Sequence, residues 1–272
     1  MTMARGDLVS LSALKAHLCV QSSADDILLS SMISQISRAI CTYLNRAFLW
    51  PRDVIDNFDG NGRNRIQLRN WPVVSVNSVT IDGRPVAQST DGHGSGWLLE
   101  PGDDEPPGAM QMIMLRNGCF PRGWQNVSIA YRAGYQVSNE GQTIPASAPY
   151  RLAAAQPYGP FAVDCGVAYA SGATLTPVAA NPARGQYAID GFGDYVFSSS
   201  DAGAQVLLTY GYVPQDLASC ALEWAADRYR YRDRIGMVSK SLGSQETAAF
   251  RITAMPDYVQ QSLRGFGRII AN

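Results

Sequence analysis

Two hydrophobic periods divide this chain. Over residues 11–19 and again over 22–48 apolar side chains recur every three or four positions, and Leu29, Met32, Ile33, Ile36, Ile40, Tyr43 and Leu44 line one stripe that must pack on something. The spacing predicts two helices, with Ser23 placed to cap the second and Asp25 and Asp26 in its first turn, where carboxylates favour the exposed amides. The period then falls to two. Residues 56–64 read as a Gly/Asn turn between alternating strands, suggesting a hairpin or meander, and Asp82-Gly83 as a two-residue hairpin turn joining 76–81 to 84–87. Residues 91–108, rich in Gly, Pro and acid, form a long loop holding one short strand at 97–99, after which 110–115 and 127–131 regain strand character.

The alternation continues over 161–212 in short runs punctuated by Ser171-Gly172, Asn181-Pro182, Arg184-Gly185, Gly193-Asp194 and Asp201-Ala202-Gly203. Turn signals at roughly 8–12-residue spacing predict a small β-sandwich. A strand-turn phrase also occurs twice, as YRAGYQ at 131–136 and TYGYVP at 209–214. After Pro214 the period lengthens again: Leu217, Cys220, Ala221, Trp224 and Ala225 mark one face of a third helix, which Gly236 ends. The fold class expected is therefore α+β: helical N- and C-terminal elements packed with an antiparallel β core, plus an inserted small β-sandwich. The core is assigned to 1–149 and 206–272, and the inserted domain to 150–205.

Composition narrows the function. The 272 residues are 46% hydrophobic and 17% charged, enough to bury a real core. No apolar run approaches the ~20 residues of a membrane span, and the start lacks the apolar stretch of a signal peptide, so no membrane partner is expected. The five cysteines are odd in number, widely spaced and free of any CxxC pair, and read as buried thiols. A formal net charge of -1 offers nucleic acid no whole-protein attraction.

Candidate chemistry is sparse. His17 and His93 stand without ligand patterns, the glycine run around Ser95 lacks the strand-turn-helix setting of a nucleophile, and Asp103, Asp104 and Glu105 read as a solvated acidic loop. Residues 56–62 resemble half a calcium loop without its distal Glu. No enzyme, metal or cofactor is expected.

Four segments in order resemble the head-tail connector (adaptor) proteins of long-tailed bacteriophages: the opening helices LSALKAHLC and SSADDILLSSMISQISRAICTYLNRAF, the strand IQLRNWPVVSVNSV, VSIAYRAGY, and the run VLLTYGYVPQDLASCALEWAADRYRYRDRIGMVSKSLG. Residues 150–205 depart from that pattern. They look like inserted β-modules of phage structural proteins, with Gly185-Gln186-Tyr187 and a Tyr195-to-Gly203 motif. The resemblance implies a structural virion protein at the head-tail junction, assembled in the host cytoplasm. It would form a twelve-fold ring below the portal protein, extend the DNA channel without sequence-specific DNA binding, and dock the next neck or tail-terminator protein. The interface candidates are Arg228, Tyr229, Arg230, Tyr231, Arg232, Arg234, Ile235, Lys240, Leu242 and Phe250. Arg and Tyr interleaved this way suit an interface, while Glu223, Asp227 and Asp233 nearby leave open a plain solvated face with local ion pairs. The alternative is a peripheral virion protein binding glycan or receptor through the inserted β-sandwich, with Tyr187 and Tyr195 as an exposed aromatic pair.

Overall fold

The computed structural model describes residues 6–90, 93–100, 111–190, 193–232, 239–242, 246–249 and 255–268. The chain divides into two compact units, one of Met1–Leu44 with Pro214–Gly267 and one of Asn45–Val213 with Arg268–Asn272. The fold is α+β.

The first unit is helical: α1 (Leu11–Leu18), α2 (Asp26–Tyr43), α3 (Gln215–Tyr231) and α4 (Asp257–Leu263). Helix α1 starts where the Ser10 hydroxyl accepts the Ala13 amide (3.1 Å) and stops at Cys19, whose left-handed φ of 56° ends the ladder. The stripe of α2 is buried at Leu29, Ile33, Ile36 and Ile40, each such side chain contributing about 1.5–3 kcal/mol on leaving water. Tyr43 on that stripe is exposed. Every member of the predicted α3 face, Leu217, Cys220, Ala221, Trp224 and Ala225, is buried. Two expectations are corrected. Helix α2 is shorter than 22–48, and Ser23 caps it only through its backbone oxygen, which accepts the Asp26 amide, while Asp25 occupies the cap position without a side-chain cap bond. The thiols are not uniformly interior: Cys220 is buried, Cys41 and Cys165 are half-buried, and Cys19 and Cys119 are exposed.

The second unit is built on β-strands, fourteen among the described residues, with one short 3-10 turn at Ser199–Asp201. The first seven are β1 (Arg52–Gly60), β2 (Arg65–Gln67), β3 (Val73–Ile81), β4 (Arg84–Val86), β5 (Gly96–Leu99), β6 (Met112–Arg116) and β7 (Gly123–Ala133). They make a sheet of order β1-β7-β3-β4 facing one of order β2-β6-β5 across Phe58, Ile66, Trp97, Ile113, Val127, Ile129 and Tyr131. The predicted Asp82-Gly83 hairpin is present, with φ of 48° and 74° at the two turn residues. The hairpin suggested around 56–64 is not: β1 runs on to Gly60, and β1 and β2 belong to different sheets. Likewise 66–79 is not one strand, because the chain turns at 68–72 from β2 in one sheet to β3 in the other.

The next seven strands are β8 (Gln136–Thr143), β9 (Arg151–Leu152), β10 (Phe161–Tyr169), β11 (Thr176–Pro177), β12 (Gln186–Ile189), β13 (Tyr195–Phe197) and β14 (Gln205–Tyr212). Their sheets have the orders β8-β14-β10 and β9-β13-β12-β11, an arrangement that repeats the first sandwich except at one edge strand: β4 pairs with β3, whereas its counterpart β11 pairs with β12 in the facing sheet. The register repeats as well. Strand β3 pairs Val73, Ser75, Val76, Ser78 and Val79 with Ala133, Arg132, Tyr131, Ala130 and Ile129. Strand β10 pairs Phe161, Val163, Asp164, Gly166 and Val167 with Tyr212, Gly211, Tyr210, Thr209 and Leu208, with both irregularities at matching places. In the facing sheets Ile66, Ile113, Leu115 and Trp97 correspond to Leu152, Tyr195, Phe197 and Tyr187. Even the minor bridges agree: Gln88 lies parallel to Trp97 as Pro177 does to Tyr187. One difference is a shift in the β8–β14 register near Asn139, which takes a φ of 56°. Residues 150–205 share their sheets and hydrophobic cluster with β8 and β14.

A third motif repeats in the side chains. Tyr131 on β7 donates to Asp56 Oδ2 on β1 (2.5 Å) and accepts the Asn70 amide (3.2 Å). Tyr210 on β14 donates to Glu140 Oε2 on β8 (2.6 Å) and accepts the Gln156 amide (3.0 Å). In both cases the carboxylate lies two places from its tyrosine in the register, since Asp56 faces Ile129 and Glu140 faces Leu208. An inward-pointing acid on an edge strand discourages pairing with another chain, and the tyrosine supplies the hydrogen bond that makes its burial tolerable. Burial foremost, then the neighbouring carboxylate, pushes both phenols well above their ordinary pKa.

The two sandwiches join where β7 continues through Gly134 and Tyr135 into β8. Gly134 has φ of 134°, and a Cβ there would stand 2.4 Å from the Trp50 carbonyl carbon. Alongside, the buried Arg46 guanidinium sits 4.1 Å from the Trp71 ring and donates to the Trp71 carbonyl (3.0 Å), with the rings of Tyr135, Tyr212 and Tyr158 tilted against one another beyond it. The remaining strands, β15 (Ser239–Leu242) and β16 (Glu246–Ala249), form an antiparallel pair in the helical unit.

Candidate functional site

Helix α3 carries the Arg/Tyr run, and its amphipathic geometry sorts that run into two roles. Burying Ala221, Trp224 and Ala225 directs Arg228 and Arg230 outward, where both are exposed. Tyr229 points the other way, toward the start of α2. Its hydroxyl donates to Asp25 Oδ2 (2.6 Å), to which Arg232 Nη1 also donates (3.2 Å), while the guanidinium lies 4.2 Å from the Tyr229 ring centre. The Tyr229 hydroxyl, with help from Arg232, holds the Asp25 carboxyl below its usual range. Lys15 on α1 pairs with Asp26 at 2.7 Å. The acidic start of α2 is thus fastened to α1 and α3 at once, which explains why Asp25 does not cap its own helix. Tyr231 is half-buried. Lys240 and Leu242 fall on β15, opposite Ala248 and Glu246. Arg234, Ile235 and Phe250 lie outside the described residues.

Tyr187 and Tyr195 are not a binding pair. They are 1% and 0% exposed, and both hydroxyls converge on Asp164 of β10, at 2.5 and 3.1 Å. Asp164 also accepts the Gly166 amide (3.0 Å). A strand's two faces alternate, so sequence spacing does not tell which face an aromatic takes, and the acid that draws these two inward lies over 20 residues away in sequence.

The surface that sequence reasoning missed is the tip of the first sandwich. Trp124, at the start of β7, is 92% exposed and borders an open groove of about 500 Å³ lined by Asp59, Gly60, Asn61, Arg122 and Gly123. The tip is fixed: Asp59 Oδ1 accepts the Gln125 amide (2.6 Å), Asn126 accepts the Gly60 amide and donates to the Pro121 carbonyl, and Gln125 is held at φ of 46°. The equivalent tip of the second sandwich is closed. There Ile144 is fully buried and pairs with Gly203 and Ala204, and the buried Asp201 accepts Tyr169 Oη (2.8 Å) and the Gly185 amide (3.0 Å). Among the described residues no group of three His, Cys, Asp or Glu side chains is placed to hold a metal, and no helix is long and apolar enough to cross a membrane.

No family model matches the chain, and no curated protein matches it. Among solved structures it is similar to a chain in the neck of an empty gene transfer agent (GTA) particle computed with C6 symmetry, at 15% identity and TM-score 0.43, over 100% of this chain and 95% of that one. It is also similar to a chain of the native GTA virion (16%, TM-score 0.42, 97% and 92%) and to one in the native GTA neck computed with C12 symmetry (16%, TM-score 0.39, 100% and 98%).

Proposed function

We propose that this chain is a structural connector of a tailed-phage-like particle, a ring subunit that sits below the portal, extends the DNA channel and docks the next neck or tail protein. The observation that carries the reading is the joining of the two family-like ends of the chain. The opening helices and the helix of the strand-turn-helix run fold into one helical unit, fastened by Asp25 to Tyr229 and Arg232 across more than 200 residues of sequence. That leaves Arg228 and Arg230 as the exposed cations of α3, and we assign them to the portal-facing surface. Residues 150–205, within the second sandwich, are the accessory insertion of this proposal. The glycan-binding alternative loses its basis, because the aromatic pair it needs is interior.

The test is co-sedimentation with the portal ring. The Arg228→Glu, Arg230→Glu double variant is expected to weaken portal binding at least ten-fold while its helical circular dichroism stays unchanged. Undiminished binding removes α3 from the contact.

A further inference from the structure

The proposed ring needs two different surfaces on each copy that fit one another, since a closed ring is built from head-to-tail contacts. Two surfaces of this chain carry complementary features. One is the Trp124 tip, where Arg63 and Arg122 are exposed and form no ion pair among the described residues. The other is the face shared by α3 and α4. Asp216, Glu223 and Asp227 fall at helical spacings of seven and four, all exposed and none ion-paired among the described residues, with Arg230 at the end of the same stripe. Beside them on α4 stands Tyr258, 45% exposed and feeling the charge of Asp227 and Glu223.

We infer that the Trp124 tip of one copy docks on the acidic α3–α4 face of a second copy, Trp124 and Tyr258 serving as aromatic anchors and Arg63 and Arg122 meeting Glu223 and Asp227. The internal repeat is what singles out the tip. The second sandwich repeats the pairing of β1-β7-β3 and β2-β6-β5 and closes its tip with its own residues, so the fold does not require an exposed tryptophan there. Aromatic and arginine side chains on rigid backbone are the usual centres of binding energy, and opposite charge around them sets register and partner. The arrangement also explains how a chain of net charge -1 carries segregated patches of both signs.

This inference rests on the ring reading, and its test separates the two. Two full-length variants are made, Arg63→Glu with Arg122→Glu, and Glu223→Arg with Asp227→Arg, and self-association is followed by sedimentation over a wide concentration range, with portal binding measured in parallel. Each variant alone opposes like charges and is expected to self-associate at least ten-fold more weakly than the wild type. Mixed in equal amounts they restore association, because the acidic tip of the first variant then meets the basic helix face of the second, and the unaltered basic tip of the second meets the unaltered acidic face of the first. Such restoration is not expected of a misfolded variant. Wild-type-like association by either variant, failure of the mixture to recover, or a wild type that never self-associates with or without portal overturns the docking. Portal binding that persists in any of those cases leaves the connector reading standing.

Discussion

The two sandwiches share a register and differ in what fills them. Where the first places Val76, Trp97 and Ile113, the second places Asp164, Tyr187 and Tyr195 at the corresponding positions. One core is closed by apolar contact, and the other by a half-buried carboxylate under two phenols. What they keep in common is the alternation of the central strand, the edge-strand acid and the tyrosine that satisfies it. Topology therefore depends on the period-two pattern and the latch, and the identity of the core residues is free to drift so long as volume and hydrogen bonds are satisfied.

That contrast can be broken most forcefully at Asp164. Asp164→Ala strands two buried hydroxyls and is expected to cost about 3–5 kcal/mol, whereas Val76→Ala at the matching site costs about 1–2 kcal/mol, both read from denaturant midpoints. Converting the second core to the chemistry of the first, with Asp164→Val, Tyr187→Phe and Tyr195→Phe together, is expected to recover most of the loss. A triple variant as unstable as Asp164→Ala would show that the polar cluster is not interchangeable with apolar packing. Next in size are the latches. Tyr131→Phe and Tyr210→Phe each remove a hydrogen bond to a carboxylate, worth about 1.5–3 kcal/mol, and should agree within about 1 kcal/mol if the sandwiches are true equivalents. Widely different values would confine the repeat to the backbone.

The smallest effect is expected in the helical unit, where the same tyrosine–carboxylate pair recurs at the surface. Tyr229→Phe should lower stability less than either buried latch. Because the folded Asp25 carboxyl titrates below its ordinary value of about 3.9, its contribution is complete above that pH and fades as pH falls through the folded value. Following the Asp25 carboxyl carbon by NMR from pH 6 to 2 should show a lowered midpoint in the wild type that returns toward the ordinary value in Tyr229→Phe.

These contrasts also show which parts of the molecule were legible in the chain. The stripe of α2, the buried face of α3 and the Asp82-Gly83 turn depend on neighbours a few residues apart, so their spacing announces them. The repeat was visible only as YRAGYQ and TYGYVP, because equivalent positions preserve inward direction and not residue type: Trp97 answers to Tyr187 and Ile113 to Tyr195. Residues 56–59 look like a turn until Tyr131 arrives 75 positions later to satisfy Asp56 inside a strand. Trp124 looks like any strand aromatic, and only the left-handed Gln125 and the bond from its amide to Asp59 turn it outward. Of the Arg/Tyr run, the charges were legible and their division was not, since Asp25 claims Tyr229 and Arg232 from more than 200 residues away.

The most direct test of the connector assignment is native mass spectrometry of the chain mixed with its portal ring at low and moderate salt. The account predicts a portal complex carrying about one copy of this chain per portal subunit. A portal ring that emerges bare at both salt concentrations would contradict it.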